Sequence, residues 1–296
     1  MHLYNRFLQV EIDGKLRIGG RQQVLNNELV VPPRIEISIS HEKKSEARIT
    51  LYNLSKETVR EIDKRKLPIV VEAGYWPQNG SKQAGPIYQG KIENTITNRE
   101  GADRSIELIC TSGNDAIRYA RTRKNLPAAT THEQILSQLL KDMPGIEKGD
   151  WELDGTGSFV EKRPLTIDRP SFAELDDICH QHNLLWTVID DRLHIRPMST
   201  GTKTDPWLVS PDTGQIGSPR FAEDSVSVDL LLVYWFRPGM NIRLANPYVE
   251  PLSQEVHHIT KVSFSGNNQD GEFKTSLDCS LPKPKKSRSR RREKKV

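Results

Sequence analysis

The chain has 296 residues, of which 35% are hydrophobic and 28% are charged. A chain of this length exceeds the usual size of one domain, so we expect two or three compact units. No run of about 18 apolar residues occurs, which argues against a membrane partner and a helix that spans a bilayer. The first residues also lack the apolar core of a signal peptide. We therefore predict a protein that is made and kept in a cytoplasm until it assembles.

The formal charge of +4 is unevenly distributed along the sequence. Residues 283–295 contain nine Lys or Arg side chains and one Glu, a net charge of +8, so the remainder of the chain carries −4. We expect this basic tail to be disordered when free, because it has no apolar side chains to bury. Its basic side chains are Lys283, Lys285, Lys286, Arg288, Arg290, Arg291, Arg292, Lys294 and Lys295.

Three uses of the basic tail remain open from the sequence. It can make weak contacts with nucleic acid through counterion release, bind an acidic patch on a protein partner, or serve only to keep the chain soluble. No aromatic residue is interleaved with the basic ones, so nothing in the tail favours base stacking.

The first 111 residues have the alternating pattern of β-strands. Asp13-Gly14 lies between alternating apolar positions from Val10 to Ile18, which predicts a hairpin with a two-residue turn. Isoleucines alternate with polar residues from Ile35 to Leu51 and predict a second hairpin, after which Ser55 has the position of a helix N-cap. Further strands are predicted at residues 69–73, 87–97 and 105–111.

The next segment mixes helices and strands. Thr131 with Gln134, and Ser171 with Glu174, each have the spacing of a capping box that opens a helix. Asn183 is predicted to end the second helix in the left-handed conformation. A hairpin over residues 184–196 follows, with Asp190-Asp191 as its turn, because Asp tolerates that conformation.

Strands return after a turn-rich stretch at residues 207–219. An apolar run from Ser225 to Phe236 is predicted as one strand, followed by a Pro238-Gly239 turn and strands at 241–245, 256–264 and 273–281. We therefore predict an α+β, mainly-β fold with two small barrel- or sandwich-like β modules. The units are residues 1–111, an inserted α/β domain at 112–205, a second β domain at 206–282 and the disordered tail at 283–296.

Little in the sequence points to chemistry. His180 and His182 are two apart on a predicted helix, and His257 and His258 are neighbours on a predicted strand, so neither pair faces one metal ion. The paired acids are accounted for by a turn and by the solvated face of a helix. Cys110, Cys179 and Cys279 are predicted to be buried free thiols. We predict no catalytic, cofactor-binding or metal-binding residues.

Three stretches in a fixed order resemble baseplate hub proteins of tailed bacteriophages, the group that includes late control protein D. The first is PIVVEAGYW at 68–76 with GPIYQGKIENT at 85–95, which resembles tail-tube-type hub domains. The second covers 171–197, and the third runs from LVSPDTGQIGSPRF to SVSVDLLLVYWFRPGMNIRL at 208–244. The resemblance covers most of residues 1–281. It does not explain the tail, and Trp235-Phe236 is bulkier than the family pattern.

The resemblance implies a structural protein of the virion tail baseplate. Such hubs form a ring, typically a homotrimer, in which two tail-tube-like β modules per subunit match a threefold spike to a sixfold tube. The implied partners are the tail tube protein, the spike protein and the tape measure protein, and the ring would line the channel for DNA ejection. In this interpretation the run up to Phe236 is either an ordinary central strand or a subunit contact with Tyr234, Trp235 and Phe236 as anchors.

Two other functions compete with this interpretation. One is a tail-associated enzyme that degrades peptidoglycan, for which Glu174 or Asp177 would be the acidic residues. The other is a nucleic-acid-binding module that acts through the basic tail.

Overall fold

The computed structural model describes residues 5–21, 23–25, 28–30, 34–63, 66–77, 80–101, 103–153, 155–197, 205–223, 225–245 and 256–280. Strands predominate in these residues, which confirms the mainly-β class. The helices are α1 (Lys56–Ile62), α2 (Asn114–Tyr119), α3 (His132–Lys141) and α4 (Ser171–Gln181). The strands are β1 (Arg6–Ile12), β2 (Leu16–Arg21), β3 (Gln23–Leu25), β4 (Glu28–Val30), β5 (Ile35–His41), β6 (Ser45–Tyr52), β7 (Pro68–Tyr75), β8 (Gln83–Glu100), β9 (Asp103–Thr111), β10 (Arg121–Leu126), β11 (Glu147–Trp151), β12 (Leu165–Pro170), β13 (Leu184–Ile189), β14 (Arg192–Pro197), β15 (Trp207–Val209), β16 (Gln215–Phe221), β17 (Ser225–Leu231), β18 (Asn241–Leu244), β19 (Val256–Asn267) and β20 (Phe273–Ser280).

Within the described residues, one sheet of 13 strands contains both the N-terminal and the C-terminal β segments. Its order is β16-β17-β20-β19-β5-β6-β9-β8-β7-β1-β2, with β18 beside β19 and β15 beside β18. The two segments are joined where β5 pairs with β19, with Ile39 opposite Phe264. β5 pairs with the edge of the C-terminal segment at β19, and β19 pairs with the edge of the N-terminal segment at β5. The two segments therefore share one open sheet and do not close into two separate barrels.

The two hairpins predicted near the N-terminus are confirmed. β1 and β2 pair with Ile12 opposite Leu16, so the loop has three residues and is one residue longer than expected. Asp13 and Gly14 have positive φ angles of 54° and 65°, the conformation that this residue pair favours. In the second hairpin, the inward positions of β5 and β6 are buried and the alternate positions are exposed or half-buried, as the alternation predicts.

Two of the three predicted helix N-caps are confirmed. Ser55 Oγ accepts a hydrogen bond from the Thr58 N–H at 3.1 Å, and Thr131 forms the full capping box with Gln134. The capping box predicted at Ser171 is wrong, although the helix itself forms. Ser171 is the first residue of α4 and its hydroxyl lies 2.9 Å from Thr122 Oγ1, so a tertiary contact takes the oxygen that would have capped the helix.

Buried apolar side chains form two cores. One collects residues between 8 and 110 and between 209 and 279, and the other collects residues between 116 and 195. The second core belongs to the insert, where α3 and α4 pack with the β10–β12 pair and the β11-β14-β13 sheet. Asn183 has the predicted positive φ, and all three cysteines are buried and free. No helix of the described residues is long and apolar enough to cross a membrane.

Candidate functional site

The run from Ser225 to Phe236 is not one strand. β17 ends at Leu231, because the Thr275 hydroxyl accepts the Val233 N–H at 2.9 Å in place of a strand neighbour. The chain then turns at Tyr234-Trp235. Arg237 fixes this turn, since its Nη1 donates to the carbonyls of Tyr234 and Phe236 at 2.9 and 3.0 Å.

The three aromatic residues of this turn differ in exposure. Trp235 is 41% exposed, Tyr234 is half-buried, and Phe236 is only 4% exposed and belongs to the main core. Trp235 also lies against Trp207, with 5.6 Å between the ring centroids. Trp235 is therefore the exposed aromatic side chain of the turn, whereas Phe236 holds the turn to the sheet.

Several exposed apolar side chains occur near Trp235 at this edge of the sheet, and we call them together the apolar edge patch. Leu231 donates its N–H to the Gly214 carbonyl at 2.8 Å, and the nearby Thr213 hydroxyl donates to the Leu208 carbonyl at 3.3 Å, so β15, β16 and the end of β17 meet here. The members are between 41% and 53% exposed: Trp207, Leu208, Ile216, Leu231 and Trp235.

The sequence contains a signal for the apolar edge patch in the alternation of β17. Val226, Val228 and Leu230 are the buried positions of β17, so Leu231 falls on the alternate face. The other residues of that face, Ser225, Ser227 and Asp229, are polar. Leu231 therefore adds apolar surface to a face that is otherwise polar along this strand.

The apolar edge patch borders a free edge of the sheet. Among the described strands, β16 pairs only with β17, and β2 pairs only with β1. The register of β16 shifts between Ile216 and Arg220, Gly217 has a φ of 67°, and Pro219 supplies no N–H. Bulges and prolines of this kind limit the addition of another strand at an edge.

The β13–β14 turn joins the insert to the sheet. Asp190 and Asp191 have φ angles of 53° and 57°, which confirms the predicted turn. Asp191 Oδ1 accepts from the Ser112 hydroxyl at 3.0 Å and from the Gly113 N–H at 2.9 Å. Asp190 Oδ1 accepts from the Gln89 N–H at 3.0 Å. The sequence predicted the turn but not these partners.

A cleft of about 760 Å³ lies beside this turn, between the insert and the segment that holds Arg237. Arg196 on its insert side is 8% exposed and donates to the Pro238 carbonyl at 2.7 Å. Burial lowers the pKa of Arg196 to about 10, so it remains a cation at neutral pH. Burial also lowers the pKa of Arg237, and Asp190, 3.5 Å away, opposes this shift. Arg196, through the Pro238 carbonyl, and Arg237, through Asp190, therefore each join the insert to the segment that follows β17.

Glu174 and Asp177, the acidic residues that the enzymatic alternative would use, both lie beside Arg169. Arg169 lies 3.5 Å from Glu174 and 2.6 Å from Asp177. Burial raises the pKa of Glu174, and Arg169 acts in the opposite direction. Arg169 thus forms ion pairs with two acidic side chains of α4.

The two histidine pairs lie on different elements, His257 and His258 on β19 and His180 and His182 at the end of α4. His257 is fully buried and His258 lies 2.7 Å from Asn241 Oδ1, on the other face of β19. His182 packs against His132, with ring centroids 4.6 Å apart. In the part of the chain that the structure describes, no three His, Cys, Asp or Glu side chains are grouped to hold a metal. The basic tail from Lys283 to Lys295 lies outside the described residues.

The fold is similar to that of solved tail proteins. The 43 kDa tail protein of prophage MuSo2 from Shewanella oneidensis matches with a TM-score of 0.63 and 10% identity, over 94% of this chain and 97% of that chain. A tail protein from Neisseria meningitidis MC58 matches with a TM-score of 0.62 and 11% identity, over 94% and 96%. The chain has the fold of phage tail proteins. No protein-family model and no curated protein matches the sequence.

The phage tail fold extends to a secretion component. The Escherichia coli c3393 protein matches with a TM-score of 0.61 and 10% identity, over 93% of this chain and 77% of that chain. That protein is a component of the type VI secretion system and is described as similar to bacteriophage T4 tail proteins gp27 and gp5. The resemblance inferred from three sequence stretches is thus confirmed for the fold. Those stretches lie on β7 and β8, on α4 to β14, and from β15 to β18.

Proposed function

We propose that this protein is a structural hub of a phage tail baseplate, which forms a ring that connects the tail tube to the spike. The observation that carries this proposal is the match to tail proteins, which spans 94% of this chain and nearly the full length of the two prophage and Neisseria proteins. In this role the chain acts through surfaces that bind other subunits, without catalysis, in the virion tail.

Ring formation accounts for the unfinished edges of the sheet. Strands β2 and β16 each lack a second neighbour among the described strands. A closed ring of identical copies covers such edges without leaving an end for further addition. Three copies would contribute six β segments, because each chain supplies one before and one after the insert. We propose residues 1–111, 112–205 and 206–282 as these units.

The apolar edge patch is the surface that we propose for subunit contact. Tryptophan and other large apolar side chains are enriched at the centres of protein interfaces. Tyr234 and Trp235 fit this role better than Phe236, which is already buried in the monomer. The charge of −4 outside residues 283–295 suits a channel that does not retain DNA, since like charges repel.

Light scattering of the full chain tests the proposal. We expect a mass of three chains, either for the protein alone or after addition of the tube and spike proteins of the same tail. A chain that stays monomeric and binds neither protein would contradict the hub role. Incubation with peptidoglycan separates the enzymatic alternative, and we expect no release of soluble fragments.

A further inference from the structure

The described part of the chain ends close to the cleft between the insert and the sheet. The Ser280 hydroxyl donates to the His258 carbonyl at 3.4 Å, and His258 lies 2.7 Å from Asn241. Asn241 follows Met240, which lines the cleft. Because neighbouring strands are about 4.8 Å apart, Ser280 lies about 10 Å from Asn241. The chain therefore leaves the sheet within a few residues' reach of the cleft.

The cleft has an excess of negative charge. Its lining contains five carboxylates and three arginines, a formal charge of −2. Two of the carboxylates face solvent, since the side chains of Glu147 and Asp150 are 73% and 91% exposed. Glu147 lies 3.4 Å from Arg192, and an exposed pair of this kind contributes at most about 1 kcal/mol. Asp150 lies 3.4 Å from His194, whose pKa is lowered by burial, so this contact is an ion pair only where the ring is protonated. Both carboxylates can therefore accept another cation.

Two further features of the cleft suit a Lys or Arg side chain. Glu152 Oε2 is buried and has no hydrogen-bond donor among the described residues, so an added cation would supply one. Ile189, Ile195 and Met240 contribute apolar surface to the lining. Lysine and arginine place their aliphatic stems on such surface while the charged ends meet carboxylates.

We propose that this cleft binds the basic tail of the same chain, Lys283 to Lys295. The tail carries a net charge of +8 and begins three residues after Ser280. Three extended residues span about 10 Å, so its first lysines reach the cleft without rearrangement of the sheet. The contact weakens as salt rises, because its charges are largely exposed. It does not depend on the hub role, since it forms within one chain.

Limited trypsin digestion of the full chain tests this contact, with release of tail peptides followed by mass spectrometry. We expect the Glu147→Gln/Asp150→Asn variant to release them about fivefold faster than wild type at low salt. The matched control is Glu57→Gln/Glu61→Gln, which removes two carboxylates from exposed positions on α1 and should digest at the wild-type rate. Equal rates for all three proteins would overturn the proposal.

Dilution distinguishes the possible occupants of the cleft. Protection within one chain stays constant over about a hundredfold range of protein concentration, because the effective concentration of a tethered segment does not change. Protection that disappears on dilution would overturn the assignment and place the tail in the cleft of a second copy. Protection that arises only after addition of nucleic acid would also overturn it and make the nucleic acid the partner of the tail.

Discussion

Ser112 and Asp191 hydrogen-bond to each other in both directions, although 79 residues separate them in sequence. The Ser112 hydroxyl donates to Asp191 Oδ1 at 3.0 Å, and the Asp191 N–H donates to Ser112 Oγ at 2.8 Å. Ser112 is fully buried where β9 ends, and Asp191 lies in the β13–β14 turn. This pair therefore fixes the insert to the sheet, with Ser112 buried and Asp191 partly buried beside the cleft.

We expect Asp191→Ala to lower the free energy of unfolding by about 2–3 kcal/mol. The substitution leaves the Ser112 hydroxyl and the Gly113 N–H without their acceptor, and alanine is strained at a φ of 57°. Asp191→Asn is the control, because its amide oxygen can accept the same bonds and asparagine tolerates this conformation. Urea unfolding of both variants measures the difference. Equal stability of the alanine and asparagine variants would show that these bonds contribute little.

Leu231→Lys and Trp235→Lys should reduce assembly while the subunit stays folded. Both side chains are exposed members of the apolar edge patch, so a charge there costs the monomer little but prevents burial at a contact. Phe236→Ala, in contrast, should destabilise the monomer by about 3–5 kcal/mol, because Phe236 is in the main core. Thermal melting and light scattering separate the two effects. Assembly unchanged by both lysine variants would exclude the patch as a contact.

Stability should fall as the pH drops from about 6.5 to about 4, because burial lowers the pKa of His41 to about 4. His41 Nε2 donates to the Ile87 carbonyl at 2.6 Å, and Nδ1 accepts from the Ser45 hydroxyl at 2.7 Å, which suits the neutral ring. The charge of Arg237 also lowers this pKa, whereas Asp190 opposes it. The unfolded chain binds a proton in this range and the folded chain does not.

The loss that His41 contributes is on the order of 3 kcal/mol and is complete below the folded pKa. Urea unfolding between pH 7.5 and 4 measures it. Other groups titrate in the same range, so the comparison is with His41→Gln, which should show a shallower dependence on pH. Identical slopes for the two proteins would mean that His41 has the same pKa in the folded and the unfolded chain.

Gly74→Ala should be costly because β7 approaches β8 closely at this residue. An added Cβ would meet the Gln83 carbonyl and would lie 2.6 Å from the Ala84 Cα, and the φ of 147° disfavours any side chain. We expect a loss of at least about 3 kcal/mol. Gly14→Ala is the control, since its Cβ would meet nothing within 4 Å and only its φ of 65° adds strain, about 1 kcal/mol. Equal losses in thermal melting would rule out the close approach as the cause.

The parts of the fold that sequence predicted correctly are those determined by near neighbours. Asp13, Asn183 and Asp190 have the positive φ that their side chains tolerate, and Thr131 caps α3 with a residue three positions away. Alternation also located most strands. It failed after Leu231, where the chain leaves the sheet because Thr275, distant in sequence, takes the Val233 N–H.

By itself, the sequence determined that this protein consists of many short strands around a helical insert, because alternation and capping are local patterns. Only the tertiary structure decided that β5 pairs with β19, that Ser171 bonds Thr122 rather than capping α4, and that Trp235 is exposed while Phe236 is buried. The physical reason is that a strand's unpaired N–H and C=O groups can bond any other edge. The partner is selected by the packing of side chains that lie far apart along the chain.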